Sequence, residues 1–89
     1  MQHTMAEHIH TISKCVRGEN GSEYEAQVFG IRRDDGTWAG FIEFHQVDGG
    51  VVSHTGQETS QPSRKALDYW AGGLEPVYLQ GALKRARGP

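Results

Sequence analysis

Glu43, His45 and His54 are the residues of this chain best suited to chemistry, because a carboxylate and two imidazoles are groups that hold a zinc or nickel ion. Their spacing matches no metal motif, and histidines on neighbouring strands of a small protein are ordinarily solvated, so no metal and no cofactor is assigned. Met1, Gln2 and His3 form a second chelating set, in which the free amine, two amides and the third-position imidazole suit square-planar copper(II) or nickel(II). Any chain with this start would bind copper in a tube, and no biological role is read from it. Cys15 stands beside Lys14 and near Arg17, whose charge favours a thiolate, yet no base accompanies it. A small buried apolar side chain is the expected role for Cys15. No G-x-S-x-G, P-loop, G-x-G-x-x-G or framed pair of carboxylates occurs, so the chain is read as not an enzyme.

The totals limit the rest. With 89 residues the chain is expected to form one small domain, with residues 1 to 7 and 88 to 89 disordered. A hydrophobic fraction of 36%, twelve glycines and a mean hydropathy of -0.62 imply a small core, which self-association could complete. Nine basic and eleven acidic residues give a net charge of -2, so nucleic acid or anionic lipid would need a local basic patch. A single cysteine rules out an intrachain disulfide and a four-thiolate zinc site, and it points to a reducing cytoplasm. No basic start followed by an apolar run is present, nor any stretch near the roughly 18 apolar residues of a membrane span. No membrane partner is expected.

The elements that must position these groups follow from periodicity and turn signals. Residues 8 to 17 conflict, with a helical apolar spacing but a β-branched composition; a strand is preferred. YEAQVFGIRR and TWAGFIEFHQV flank Asp34, Asp35 and Gly36, which predicts a hairpin. With Asp35 and Gly36 as a two-residue loop, Arg33, Ile31, Phe29 and Gln27 share a core face with Trp38, Gly40, Ile42 and Phe44. The other face then carries Tyr24, Ala26, Val28, Gly30 and Arg32 opposite Val47, His45, Glu43, Phe41 and Ala39, with Phe41 covering Gly30. A third strand over residues 51 to 58 follows Asp48, Gly49 and Gly50 and brings His54 opposite Glu43 or His45.

After the strands come two helices. One is expected over residues 62 to 72, capped by Ser60, with Pro62 in its first turn and Ala66, Leu67, Trp70, Ala71 and Leu74 forming an apolar stripe. Trp70 is expected to press into the sheet. The second, over residues 76 to 86, repeats the stripe with Tyr78, Leu79, Ala82, Leu83 and Ala86; Gly81 marks a close crossing, and Lys84, Arg85 and Arg87 oppose the dipole at its end. The fold class is therefore α+β, an antiparallel meander of three or four strands with two short helices packed on one face.

The tail ETSQPSRKALDYWAGGLEPVYLQGALKRA, residues 58 to 86, resembles the C-terminal segment of small bacterial proteins of unassigned function. That resemblance implies a bacterial origin and transfers no residue role. The meander followed by a helix is similar in topology to the double-stranded-RNA-binding domain and to HicB-like antitoxins, but SRKAL replaces the basic helix start of the former, and the strand end of the latter is missing.

Two partner classes result. The favoured one is a protein partner or a second copy, bound by the mixed face with Arg32, Phe41, Glu43, His45 and His54. The alternative is nucleic acid, held by Arg64, Lys65, Lys84 and Arg85 on the helices, with Tyr24 and Phe41 as stacking surfaces on the open sheet.

Overall fold

The turn between the two longest strands sets the register of the whole sheet. In the computed structural model, which describes residues 6–88, β3 (Glu23–Arg32) and β4 (Trp38–Gln46) are joined by a three-residue loop. Arg33 N–H donates to Thr37 C=O at 2.8 Å, and Gly36 takes φ +89°, a left-handed conformation that a residue with a Cβ adopts at a cost. The Thr37 hydroxyl and amide both donate to Asp35 Oδ1, at 2.6 and 2.9 Å, and hold that carboxyl below its usual range.

A third loop residue shifts the pairing by one, which corrects half of the expected core. Val28 pairs with Ile42, Ala26 with Phe44 and Tyr24 with Gln46, while Phe29 pairs with Phe41. Trp38, Ile42 and Phe44 are buried as expected, but the β3 residues buried on the same face are Tyr24, Ala26 and Val28, and Gln27, Phe29 and Ile31 lie on the opposite face. Phe41 does not cover Gly30. Gly30 instead pairs with Gly40, and the two leave a hollow that Leu67 fills: a Cβ on either glycine would stand 2.5 or 2.6 Å from a Leu67 methyl. Arg32, expected opposite Ala39, pairs with Trp38 and is exposed.

The outer lanes are each broken in two. β1 (Glu7–Thr11) and β2 (Val16–Arg17) both pair with β3, so the expected strand over 8 to 17 is interrupted at residues 12 to 15, and Cys15 is exposed there rather than buried. Of the ends expected to be disordered, residues 1–5 and 89 lie outside the described residues, and Glu7 opens β1. On the far side β5 (Val52–His54) and β6 (Thr59–Gln61) both pair with β4, in place of one strand over 51 to 58. At the break Thr55 is 2% exposed; its hydroxyl accepts the Ile42 N–H at 3.0 Å and donates to Gly56 C=O at 2.7 Å. That hydroxyl does what a backbone carbonyl would do in an unbroken ladder. His54 and Arg87 exchange backbone hydrogen bonds and so cover the outer edge of β5.

Two helices cover one face of this antiparallel sheet, an α+β arrangement. α1 (Arg64–Gly72) starts later than expected: Ser63, not Ser60, is the cap, accepting the Ala66 N–H at 3.0 Å, and Pro62 precedes the helix. Its Leu67 and Ala71 are fully buried. α2 (Pro76–Arg85) begins with its proline, buries Leu79 and Ala82, and carries Lys84 and Arg85 in its last turn. Gly81 has only Arg85 of its own helix near a notional Cβ, so no close crossing needs it.

Trp70 is half-buried and does not press flat into the sheet. Its ring meets Tyr78 edge to face, with centroids 6.1 Å apart and planes at 88°, so it ties the two helices together. Trp70→Ala is expected to cost about 2 kcal/mol, below the 3 to 5 of a fully buried tryptophan. Thermal denaturation should then fall by roughly 10 °C; a shift of one or two degrees would mean that the helices do not meet through this ring.

Candidate functional site

Among the described residues nothing covers the sheet face away from the helices. Along β3 and β4 it presents Glu25, Gln27, Phe29 and Ile31 beside Ala39, Phe41, Glu43 and His45, all half-buried by their neighbours alone. Aromatic rings cross it from edge to edge. His8 of β1 meets Phe29 at 5.6 Å and 80°, Phe29 stacks near Phe41 at 6.0 Å and 22°, and Phe41 meets His54 of β5 at 6.5 Å and 70°. The row needs the shifted register, because only a three-residue loop sets Phe29 directly opposite Phe41.

Polar groups divide this face into two ends. At one end His45 Nε2 lies 2.9 Å from Glu43 Oε1, Gln27 donates to Glu25 at 2.8 Å, and Glu43 pairs across the strands with His54. At the other end, next to the Asp34 to Gly36 turn, the Arg33 guanidinium donates to Ser60 Oγ at 3.0 Å, to Thr37 Oγ1 at 3.4 Å and to Gln57 Oε1. All three acceptors are neutral, so none of them is a counter-charge to Arg33. Among the described residues no group of three or more histidine, cysteine or acidic side chains is placed to hold a metal ion. Met1, Gln2 and His3 lie outside the described residues.

Four of the residues singled out from sequence share this face: Phe41, Glu43, His45 and His54. Tyr24 does not. It is buried in the core, with its hydroxyl accepting from Asn20 Nδ2 at 3.2 Å, so it offers no stacking surface. Arg64, Lys65, Lys84 and Arg85 sit on the helices, on the other side of the sheet from Phe41. Three of these cations face carboxylates: Arg64 with Glu7 at 3.0 Å, Lys84 with Glu19 at 3.5 Å and Arg85 with Glu58 at 2.6 Å.

His8, Glu25, Phe29 and Arg33 were not singled out from the sequence. The signal that could have found them is the alternation Glu25, Gln27 against Tyr24, Ala26, Val28, in which only the second set is free of charge and amide. Elsewhere, a cleft of about 280 Å³ lies between the β1 to β2 connection and the start of α2, lined by His10, Ile12, Lys14, Cys15, Leu74 and Pro76 among others. Its histidine is paired with Asp68 at 3.4 Å.

Among the described residues no helix is long and apolar enough to cross a membrane. No family model, curated protein or solved structure matches the chain.

Proposed function

We propose that this chain is a noncatalytic interaction module that binds protein through the bare face of its sheet. The observation that carries this reading is the His8, Phe29, Phe41, His54 row, an aromatic band across an uncovered face whose opposite side holds the whole core. Nucleic acid is less well served, because the basic helices and the stacking rings lie on opposite sides of the sheet and Glu25 and Glu43 flank the rings. The exposed single thiol of Cys15 suits a reducing compartment, and we place the protein in a bacterial cytoplasm.

The test compares the parent with Phe41→Ser immobilised on beads in cell lysate. The parent is expected to retain protein that Phe41→Ser does not, with both chains melting alike. Equal retention by the two would remove the face from consideration. Retention of nucleic acid that weakens with salt, by about 0.7 to 0.9 in log K per log salt for each neutralised phosphate, would install the alternative.

A further inference from the structure

We infer that the bare face is built to receive a second copy of this chain, packed sheet on sheet about a two-fold axis that runs across the strands. The inference rests on the reading of this face as the working surface and adds who occupies it.

Charge and spacing select the occupant and the axis together. The open-face side chains of β3 include Glu25 and Phe29, and Arg33 follows one residue past its end, still paired with Thr37, so the aromatic pair Phe29 and Phe41 stands four residues from an acid and four from a base. In a strand each interval is about 13 Å. A two-fold axis across the strands through this pair lays Phe29 and Phe41 over their own copies and brings Glu25 of each chain over Arg33 of the other. Both ion pairs arise from one symmetry operation. An axis along β3 would instead set Glu25 over Glu25 and Arg33 over Arg33, which repel, and one between β3 and β4 would set Arg33 over Thr37, which offers it no carboxylate. Packed sheets lie about 10 Å apart, a gap that a glutamate and an arginine reach across together. Among the described residues neither group makes an ion-pair contact within one chain: Arg33 donates to neutral acceptors and only its field reaches Asp35 in the adjoining turn, and Glu25 accepts from Gln27.

The size of the face sets the strength. Nine paired residues at about 3.4 Å and four strand lanes at about 4.8 Å give roughly 600 Å² in projection per copy, or about 1,200 Å² for two. That is the lower limit of a specific interface, so the dimer is expected at roughly 10 to 100 µM rather than nanomolar.

Sedimentation of the full chain over a concentration series tests this. The parent is expected to dimerise, and Phe41→Ser to remain monomeric. Arg33→Glu and Glu25→Arg are each expected to weaken the dimer by about tenfold or more. The double exchange Glu25→Arg with Arg33→Glu leaves the net charge unchanged and is expected to restore it, and mixing the two single variants is expected to do the same. Thermal melting of each variant shows that it is folded. A parent that stays monomeric to several hundred micromolar overturns the second copy; if Phe41 still governs retention of another protein, the face reading stands, and if it does not, both fall. A double exchange that folds but does not dimerise overturns the axis.

Discussion

Leu67→Ala is expected to remove about 3 to 4 kcal/mol, most of the stability of a domain this small, and either glycine beneath it is expected to resist a methyl. Leu67 is fully buried, and its two methyls seat over Gly30 and Gly40, one methyl above each. A Cβ at Gly40 would also come within 2.9 Å of Thr59 Cγ2, and one at Gly30 within 3.2 Å of both Ile9 and Trp38. Gly30→Ala and Gly40→Ala are therefore expected to cost about 1 to 3 kcal/mol by overpacking, despite the propensity gained in a strand. Combining Leu67→Ala with Gly40→Ala lets the new methyl occupy the space just vacated, so the pair is expected to be more stable than the sum of the singles by about 1 to 2 kcal/mol. Denaturant titrations of the four proteins give that difference directly. Additivity to within about 0.5 kcal/mol would mean that the helix is not seated on the glycine pair.

Glu58 is expected to hold α2 to the far lane of the sheet, at a strength that depends on pH. Its side chain is only 8% exposed, and it accepts from the Tyr78 hydroxyl and from Arg85, at 2.6 Å to Nη2 and 3.3 Å to Nε. Burial pushes this carboxyl up, but the hydrogen bonds from Arg85 and Tyr78 outweigh it and hold the group below its ordinary value of 4.5. Burial and the bond to Glu58 push Tyr78 the other way, up to about 12. Glu58→Ala leaves a half-buried hydroxyl and a guanidinium without their acceptor; since Arg85 can turn to water, the cost is expected to be about 2 kcal/mol. A carboxyl depressed in the fold stabilises above its unfolded value and loses that contribution as pH falls through the folded one. The advantage of the parent over Glu58→Gln is thus expected to be full at neutral pH and to shrink below about 4.5. Tyr78 behaves oppositely, stabilising below about 10 and losing its contribution toward 12. In Glu58→Gln the tyrosinate absorbance should appear at lower pH. A parent and variant whose stabilities run parallel from neutral pH to pH 3 would rule the clasp out.

What the sequence by itself determined is the central hairpin, the two helices and most of their facing. Turn residues placed the hairpin, and the apolar stripes of both helices point to the side that is buried, because a 3.6-residue period leaves little choice of face. On β4 the alternation of Trp38, Gly40, Ile42 and Phe44 with Ala39, Phe41, Glu43 and His45 gave the core face correctly. His54 was placed opposite Glu43 as one of two alternatives, and that pairing holds.

What only the tertiary structure decided is which side of β3 meets that core, and with it the identity of the bare face. Asp34, Asp35 and Gly36 can close a hairpin with two loop residues or three, and one residue of difference exchanges the two sides of the partner strand. Phe29 and Val28 are both apolar, so local pattern alone could not force the choice. Leu67, 37 residues away from Gly30 in sequence, settles it: only when Gly30 stands beside Gly40 is there a hollow deep enough for the leucine, and Phe29 is then left outside against Phe41. The aromatic row is thus a consequence of packing on the opposite side of the sheet, a long-range contact that no window of neighbouring residues contains.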